Sequence, residues 1–462
     1  MNRSATRLSW KKLTPRSLAV SILLECRRHH RFVQEILDEQ LERTGLAPAD
    51  RRLVTQLVYG VQRRRLTLDR LLRPFITRPL HRVEPWIWEA LRVGAYQLVL
   101  LTQIPVHAAI HETVEVAELA GKPRGKGFLN AVLRRLAEIV ADEFVSEPSA
   151  QAVPLENGRY RLLRQPLLPD PQDKPLEYIA IAFALPPWLV SRWAERFDRN
   201  ELYRLGFWFA VPPPTYVRVN VLKTSREALL ERFRAAGIEC QPGQHPQAIR
   251  LGQHIAPQEL PGFHEGWFTV QDESSMQVVS ALNPQPGWQV LDLCAAPGAK
   301  TTHLAELMGN QGHILACDVD PRRLAVIPRL AERLGVTMIE TLLLSPRSEP
   351  PSGPFDAILV DVPCSNTGVL GRRPEARWKV SPRALRKLVP LQTKLLIYAA
   401  ERVRPGGVVV YSTCSLEPEE NRTVVHNVLS VIQDLRLEVE VDQIPGQPAD
   451  GGYYARIVRR KL

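Results

Sequence analysis

Cysteine is scarce in this sequence and shows no metal-binding or disulfide spacing. The 462 residues contain six cysteines, at positions 26, 240, 294, 317, 364 and 414, and no two of them form a C-x-x-C pair. A disulfide framework and a zinc knuckle are therefore not indicated. Reduced thiols in the cytoplasm fit this usage better.

Long apolar runs and internal repeats are also absent. No stretch of 18 apolar residues occurs, so the sequence predicts no transmembrane helix. No apolar segment of the signal-peptide kind follows the basic N-terminus, and we expect no export.

Basic residues outnumber acidic ones. The sequence contains 60 lysines and arginines and 49 aspartates and glutamates, which gives a net charge of +11. This balance points to polyanionic partners, and to nucleic acid before membrane surfaces. Genome composition can also enrich arginine, so charge alone leaves nucleic-acid binding open. The length and the 45% apolar content predict two or three packed domains.

The first 140 residues are typical of a compact helical bundle. Proline stands near the start of several amphipathic runs, as in Thr14-Pro15 and Glu84-Pro85. Proline is favoured at the first helical position, and short connections bring such helices together. Residues 141–175 are instead rich in Pro, Asp, Glu and Gln, which predicts an extended linker.

Strand patterns begin after this predicted linker. Residues 176–265 predict a small α/β domain, in which Val217, Val219 and Val221 alternate with polar residues. Residues 266–462 alternate strands with helices, and the strands are predicted in WQVLDL, HILACD, FDAILVD and GVVVYST. This order predicts a doubly wound parallel sheet.

The segment VLDLCAAPGAKTTHLAEL, residues 290–307, predicts a strand, a turn of small residues and a helix. It matches neither the dinucleotide-binding motif G-x-G-x-x-G nor a P-loop. Asp318 ends the next predicted strand, where a carboxylate can accept hydrogen bonds from a ribose diol. Alternatively, Asp318 or Asp320 caps the helix that begins at Pro321. The turn and the acid together indicate an adenosine-containing ligand.

Two of the cysteines follow predicted strands of the same sheet. Cys414 lies in YSTCSLEPEEN and Cys364 in ILVDVPCSNTG. The carboxyl ends of parallel strands share one edge, so both thiols are expected there. The nearby acids Glu417, Glu419 and Glu420 suit the first turn of a helix.

A thiolate at such an edge is suited to adding to C6 of a pyrimidine, which makes C5 nucleophilic enough to take a methyl group. Cys26, Cys240 and Cys317 instead fit the ordinary role of a small buried apolar residue. A zinc deaminase also attacks cytosine, but VPCSNT lacks the second cysteine of the P-C-x-x-C motif that it needs.

Several motifs carry a resemblance to a known family. DLCAAPGAK, DVPCSNTG and STCSLEPEEN, in this order and spacing, resemble the motifs of the RNA 5-methylcytosine methyltransferases. DRRLVTQLVYGVQRR, LRVGAYQL, IPVHAAIHETVEVAE and GFLNAVLRR resemble the NusB-type RNA-binding domain of the branch that acts on small-subunit ribosomal RNA. The resemblance implies an α/β protein in which an all-α NusB-like bundle and a small α/β RNA-binding domain precede a Rossmann-like methyltransferase domain.

The resemblance also implies roles for individual residues. Cys414 would be the nucleophile, and Cys364 would help to release the enzyme from the methylated base. Asp361 would lie between the methionine end of S-adenosylmethionine and the target base. The residues that would hold this cofactor are Cys294, Ala295, Ala296, Pro297, Gly298, Ala299, Lys300, Asp318 and Asp361. Further matches to family positions are Arg218, Asn220, Gln271 and Asp272.

The implied activity is methylation of C5 of a specific cytosine in 16S ribosomal RNA, in an unassembled or early small subunit. The target cytosine would have to leave its stack to reach a strand-end thiol. The helical bundle and the arginine-rich surface would bind RNA through phosphate contacts and shape. The protein is expected to be a cytoplasmic monomer that needs no metal and no membrane.

Two departures from the family pattern leave alternatives open. Ala299 stands where the family has a second glycine, so its methyl group would crowd the loop or restrict its dihedral angles. No carboxylate stands near Leu344 or Ser345, where the family has an Asp close to the adenosine. Losing one such hydrogen bond costs about 1–3 kcal/mol, which predicts weaker cofactor binding. The alternatives are a ribosome-associated RNA-binding protein with a weakened or lost methyltransferase site, and a methyltransferase of another RNA.

Overall fold

The computed structural model describes residues 13–28, 31–156, 158–345 and 351–461. The chain divides into two compact units. The first comprises the residues up to Pro212 together with Leu370–Trp378, and the second comprises Pro213–Val369 and Lys379–Leu462. None of the helices in the described ranges has the length and apolar character that crossing a membrane requires.

The first unit begins with a bundle of helices, as predicted. They are α1 (Pro15–Arg28), α2 (Val33–Glu42), α3 (Pro48–Leu72), α4 (Pro85–Leu100), α5 (Val106–Leu119) and α6 (Lys126–Ile139). Proline begins α1, α3 and α4, and the Ser17 N–H donates to Thr14 Oγ1 at 3.3 Å at the start of α1. The apolar faces of these helices form the core, in which Leu57 and Leu91 are fully buried.

The prediction of an extended linker over residues 141–175 is wrong. An antiparallel sheet in the order β1-β3-β2 forms from β1 (Val140–Val145), β2 (Ala152–Pro154) and β3 (Tyr160–Leu163). Its apolar side chains, such as Val153 and Tyr160, are buried. The strands are only three to six residues long, so the prolines at their ends and in the turns dominate the composition.

Three more helices of the first unit follow, α7 (Pro175–Ala182), α8 (Pro187–Trp193) and α9 (Arg199–Ala210). The sequence groups these helices with the small α/β domain, but the contacts of the chain divide at Pro212. Burial of Phe183 and Phe209 explains why they stay with the first unit, since their aromatic side chains complete its core.

The second unit begins with a small antiparallel sheet. Its elements are β4 (Thr215–Val219), α10 (Arg226–Ala235), β5 (Cys240–Pro242), β6 (Ala248–Leu251) and β7 (Phe268–Val270). The strand order is β5-β6-β4-β7. Strand β7, which the sequence assigns to the last domain, therefore pairs with β4 and completes the small sheet.

The larger sheet of the second unit is mixed. Its strands are β8 (Gln289–Asp292), β9 (His313–Asp318), β10 (Ile339–Leu343), β11 (Phe355–Asp361), β12 (Val403–Thr413), β13 (Leu435–Gln443) and β14 (Gly452–Arg459). The later helices are α11 (Glu273–Leu282), α12 (Ala299–Leu307), α13 (Pro321–Leu324), α14 (Val326–Leu334), α15 (Ala376–Lys379), α16 (Pro382–Arg402) and α17 (Arg422–Val431). The strand order within the described residues is β10-β9-β8-β11-β12-β14-β13.

This order makes the predicted doubly wound sheet Rossmann-like. Strands β8 to β12 are parallel, whereas β14 runs antiparallel between β12 and β13. Helices cover both faces, and for this reason the central strands are continuous apolar runs such as Ile358–Val360. The carboxyl ends of the parallel strands meet at one edge.

The segment Leu370–Trp378 leaves the second unit and completes the core of the first. Its Arg377 is 1% exposed, and burial lowers the pKa of the guanidinium. Nη1 and Nη2 donate to main-chain carbonyls of the first unit, at Arg63 (2.7 Å), Phe183 (3.1 Å), Ala184 (3.1 Å) and Phe209. One side chain thus satisfies carbonyls of three separate elements.

We predict that Arg377→Met destabilises the first unit by about 3 kcal/mol or more, because several buried carbonyls lose their donors at once. Urea unfolding followed by hydrogen exchange in α3 and α9 measures the change. Arg134→Met is the control, since Arg134 is exposed on α6 and bonds to Asn130 there. Equal unfolding midpoints for the two variants would contradict the prediction.

Candidate active site

Two thiols lie together at the carboxyl edge of the large sheet. Strand β11 ends at Asp361, which pairs in parallel register with Ser412 of β12, so both chains leave the sheet at the same level. Cys364 and Cys414 follow these strand ends. Their Sγ atoms are 3.2 Å apart, and both side chains are half-buried. The structure therefore brings together the two cysteines that the sequence singles out.

The surroundings of Cys364 favour its protonated form. The side-chain hydrogen bond with Cys414 and the burial of the sulfur raise the pKa of the Cys364 thiol well above its usual value. The Cys414 N–H also donates to Cys364 Sγ, at 3.3 Å. A neutral Cys364 thiol therefore faces the sulfur of Cys414.

Asn366 orients the other sulfur. Cys414 Sγ donates to Asn366 Oδ1 at 3.2 Å, and Asn366 Nδ2 donates to the Cys364 carbonyl at 2.8 Å. Asn366 has a φ of 62°, a left-handed conformation that Asn tolerates better than most residues. Sequence reasoning missed this residue, although it stands two positions after Cys364 in the CSNTG turn.

A buried carboxylate connects the loops that carry the two thiols. Glu420 is fully buried, and its Oε1 accepts from the Ser365 N–H at 2.9 Å and from Gln392 Nε2 at 3.0 Å. Its Oε2 accepts from the hydroxyls of Ser365 and Ser415, the latter at 2.5 Å. Ser365 follows Cys364 and Ser415 follows Cys414, so one carboxylate bonds to the residue after each thiol.

The prediction that Glu417, Glu419 and Glu420 form the first turn of a helix is wrong. Helix α17 begins later, at Arg422, and Glu417 and Glu420 are fully buried before it. A buried carboxylate is stable only when donors satisfy it, and the hydroxyls of Ser365 and Ser415 supply them to Glu420. That pairing of acids with serines is the sequence signal that could have identified Glu420.

Asp361 forms an ion pair next to the thiols. Lys300 Nζ donates to Asp361 Oδ2 at 2.7 Å, and Ser412 Oγ donates to Oδ1 at 2.7 Å. Burial opposes the charge of Lys300, but Asp361 outweighs it and raises the pKa of the ammonium. The Cys414 sulfur lies within electrostatic reach of the same ammonium. A cation at that place stabilises a thiolate relative to a thiol.

The segment Cys294–Lys300 contains the loop after β8 and the first two residues of α12, and it presents its backbone at the same edge. Gly298 has a φ of 102°, and a Cβ there would lie 2.9 Å from Ile327 Cγ1, so glycine is required. No side chain caps α12, and the N–H groups of its first turn remain available to a ligand. Burial raises the pKa of the Cys294 thiol, which is therefore neutral.

Ala299 does not restrict the loop as the sequence comparison suggested. It is the first residue of α12 and does not belong to the non-glycine residues with positive φ. A helical residue needs no glycine, because alanine is the best helix former. The predicted restriction of its dihedral angles is therefore wrong.

Asp318 and Asp320 have different partners, which separates the two interpretations of the acid after β9. Asp320 caps α13, since its Oδ1 accepts from the N–H groups of Arg322 (2.9 Å) and Arg323 (3.3 Å). Asp318 Oδ2 accepts from the Ala296 N–H at 3.0 Å. Asp318 Oδ1 accepts from the Asp320 N–H, also at 3.0 Å, so the carboxylate bonds both to the glycine loop and to the turn before α13.

The described part of this edge has neither a carboxylate directly after β10 nor a cluster of metal-binding side chains. The Leu344 N–H donates to the Asp318 carbonyl at 2.8 Å, so the chain after β10 passes beside Asp318 without a carboxylate at residue 344 or 345. Residues 346–350 lie outside the described ranges. Among the described residues, no three His, Cys, Asp or Glu side chains converge as a metal site.

The other residues that match family positions hold helices next to the glycine loop in place. Arg218 is fully buried, and its Nη2 forms an ion pair with Glu306 Oε1 at 2.7 Å. Its Nη1 donates to the Ala299 carbonyl at 2.6 Å and to Gln271 Oε1. Asp272 caps α11 by accepting from the Ser274 N–H at 3.0 Å. Arg218 therefore fixes the first turn of α12, which follows the glycine loop.

Asn220 is also fully buried and joins the small sheet to the rest of the second unit. Its Nδ2 donates to the carbonyls of Gly266 and Leu334, each at 2.8 Å. Leu334 is the last residue of α14, so the bond ends that helix as well. Asn220 is therefore a structural residue.

The strand order, the glycine loop after β8, the carboxylate after β9 and the strand-end thiols define a Rossmann-like methyltransferase domain. The chain belongs to the ribosomal RNA small subunit methyltransferase B family, because relatives so named match it along most of its length.

Comparisons with known protein families match three successive parts of the chain. The family model described as 16S rRNA methyltransferase RsmB/F matches residues 279–454, and that of the NusB family matches residues 13–138. The RsmF/B-like ferredoxin-like domain matches residues 185–257. These matches confirm the predicted classes of the bundle, the small domain and the methyltransferase domain.

The similarity to curated relatives extends over most of both chains. The probable ribosomal RNA small subunit methyltransferase B of Synechocystis sp. is 36% identical over 431 residues, which cover 92% of this chain and 91% of that protein. The protein of the same name from Bacillus subtilis is 32% identical over 443 residues, with coverage of 94% and 92%. A methyltransferase homolog protein from Pyrococcus horikoshii has a solved structure that is 29% identical, with a TM-score of 0.54, and the match covers 62% of this chain and 98% of that chain.

We predict that Glu420→Gln makes the two thiols more accessible to alkylation, because an amide cannot accept four hydrogen bonds at these positions and the cysteine loops separate. Iodoacetamide labelling of Cys364 and Cys414, followed by mass spectrometry, should show rates raised about tenfold, the factor that 1.4 kcal/mol produces. Glu401→Gln, at an exposed position on α16, is the control. Unchanged labelling in Glu420→Gln would show that the carboxylate does not hold the loops.

Proposed function

We propose that the chain transfers a methyl group to C5 of a cytosine in 16S ribosomal RNA through a covalent adduct between Cys414 and C6 of the base. The observation that carries the proposal is the pair of thiols 3.2 Å apart at the edge that also bears the glycine loop. Methyl transfer to C5 of a cytosine needs a nucleophile that activates C5 and is later eliminated, and a second group can assist that elimination. Two facing thiols meet both needs.

Cys414 is the proposed nucleophile. Its thiol must lose a proton before the sulfur adds to C6, and the Lys300 ammonium favours that thiolate electrostatically. Addition places negative charge on C5, which then forms the bond to the methyl group. The C5 proton leaves next, the C5–C6 double bond forms again and the bond to sulfur breaks.

Cys364 is proposed to assist the last step. Elimination passes the C5 proton to water and returns one proton to the departing sulfur of Cys414, and water then restores the proton of the Cys364 thiol. The Cys364 thiol is held in its protonated form and lies 3.2 Å from that sulfur, so it can return the proton. It is not needed for the attack on C6.

The residues of the glycine loop fit S-adenosylmethionine. This cofactor supplies the methyl group as an electrophile on a sulfonium sulfur. Cys294–Lys300 would hold it through backbone N–H groups, since Gly298 permits close approach and α12 is uncapped. Asp318 would accept hydrogen bonds from the ribose, and the Asp361–Lys300 pair would lie between the cofactor and the base.

The RNA substrate is supported by the family and by charge. The relatives are named for the ribosomal RNA of the small subunit, and a net charge of +11 suits a polyanion. We propose that the chain acts in the cytoplasm on RNA of an unassembled or early small subunit, where a cytosine can still leave its stack. Bisulfite sequencing of 16S and transfer RNA from a deletion strain distinguishes this target from another RNA.

We predict that Cys364→Ala traps a covalent protein–RNA adduct, because attack by Cys414 proceeds while elimination is impaired. The adduct should survive denaturing electrophoresis and should require S-adenosylmethionine. It should vanish in Cys364→Ala/Cys414→Ala, and Cys240→Ala, in the small sheet, should behave as the unaltered protein.

The opposite pattern would exchange the roles of the two thiols. An adduct with Cys414→Ala and none with Cys364→Ala would make Cys364 the nucleophile. Absence of any adduct, together with no binding of S-adenosylmethionine in a calorimetric titration, would support the alternative of an RNA-binding protein that has lost its cofactor site.

We predict that Ser345→Asp tightens S-adenosylmethionine binding about 5- to 150-fold, because one added hydrogen bond to a ligand contributes about 1–3 kcal/mol. Residue 345 follows Leu344, whose N–H is bonded to the Asp318 carbonyl, so the new carboxylate would stand near Asp318, the proposed ribose ligand. Calorimetric titration measures the affinity, with Ser345→Ala as the control. Equal affinities would show that the missing acid does not limit cofactor binding.

A further inference from the structure

The first unit carries a cleft of about 500 Å³ that the proposed chemistry does not use. It is lined by residues of α1, α3, α4 and the segment after α3, among them Arg27, Leu66, Arg70, Arg73 and Trp88. We name it the Trp88 cleft. Its volume suits one residue of a ligand chain, since pockets for small molecules measure about 300–1,000 Å³.

The acidic groups at the Trp88 cleft are already neutralised. Asp69 accepts from Arg92 Nε and Nη2, each at 2.7 Å. Glu89 Oε1 accepts from Arg92 Nη1 at 2.7 Å and from Arg27 Nη1 at 3.4 Å. Arg92 is buried, and although burial opposes its charge, Glu89 and Asp69 raise its pKa, so it stays protonated and occupies both carboxylates.

Two arginines of the Trp88 cleft are held by groups that do not cancel their charge. Arg70 Nε donates to the Leu167 carbonyl at 2.7 Å, and Arg73 Nη1 donates to the Ile76 carbonyl at 3.2 Å. Both side chains are exposed. A carbonyl orients a guanidinium without neutralising it, so the remaining N–H groups can bind an anion such as phosphate in a planar, two-point manner.

Trp88 forms an aromatic wall of the same cleft. Its side chain is half-buried, and the Arg92 guanidinium carbon lies 5.4 Å from the ring centroid. The buried cation at this ring fixes the indole and polarises it. An indole next to arginines is the combination that binds single-stranded nucleic acid, in which bases stack on rings and phosphates contact cations.

We propose that the Trp88 cleft binds one unpaired nucleotide of the RNA substrate, with the base against Trp88 and Leu66 and the adjoining phosphates on Arg70 and Arg73. A nucleotide carries a planar ring and an anion in one residue, and the cleft offers a partner for each. The inference rests on the proposed RNA substrate. It adds to that function a base-binding subsite in the helical bundle, whereas contact by phosphates and shape alone would need no aromatic wall.

The test uses the full-length protein and two fluorescein-labelled probes, a 15-nucleotide single-stranded RNA and the duplex of the same sequence. Anisotropy gives the affinities over a range of salt concentrations. Trp88→Leu should weaken binding of the single strand about 5- to 150-fold and leave its salt dependence and the duplex affinity unchanged, because stacking is lost and charge is not. Trp88→Tyr, which keeps a ring, should remain within about threefold of the unaltered protein.

A charge variant tests the phosphate contact separately. Arg73→Gln should lower the slope of log K against log salt concentration by about 0.7, the value for one phosphate contact on a single strand. Arg436→Gln, at an exposed position on β13 where Glu438 already balances the charge, should leave affinity and slope unchanged. Thermal unfolding of each variant shows whether the bundle remains folded, and Arg73→Gln stays decisive even if Trp88→Leu does not fold.

Several outcomes would overturn the proposal. Unchanged single-strand binding in a folded Trp88→Leu, or equal losses for single strand and duplex, would leave only phosphate contacts. A ten-residue poly-glutamate peptide that binds with the same sensitivity to Trp88→Leu and Arg73→Gln, while RNA does not, would make the cleft a protein-docking site. These measurements require no methyl transfer, so RNA binding through the cleft without methylation would refute the proposed activity and leave the subsite in place.

Discussion

Parallel pairing of β11 with β12 is the constraint on which the candidate site depends. Hydrogen bonds between parallel strands fix Asp361 opposite Ser412, and this register determines that the turns after both strands begin at the same level. A shift of one residue would turn the side chains to the opposite faces and part the thiols. The central strands are buried on both faces, and a slipped register would disrupt the packing of their apolar side chains against the helices.

Buried polar groups then fix the positions of the side chains that follow the strand ends. Glu420 bonds to the residues that follow both thiols, Asn366 orients the Cys414 sulfur, and Arg218 fixes the helix that carries Lys300. Each of these groups has at least one partner that is close in space and distant in sequence. The polar interior of the second unit is therefore organised around the edge of the sheet, and loss of one bond would leave other buried groups without partners.

The sequence predicts the parts of this structure that depend on periodicity and on strand ends. The bundle, the strands β8, β9, β11 and β12, and the meeting of the two thiols follow from such patterns. The sheet within residues 141–175 does not, because strands of three to six residues are too short for alternation to outweigh a composition rich in proline. The role of Glu420 could not be predicted either, since a buried acid and a helix-capping acid are the same letter in a sequence and differ only in the donors that tertiary structure brings to them.

The segment Leu370–Trp378 belongs to the first unit although it lies late in the sequence, and this affects how the chain can fold during its synthesis. Domains generally form in order from the N-terminus as the chain leaves the ribosome. Here the first unit lacks the donors of Arg377 until residue 378 has emerged, although its other residues end at Pro212. By then most of the second unit has also been made. The N-terminal unit therefore stays incomplete until a segment that follows most of the second unit in the sequence has been made.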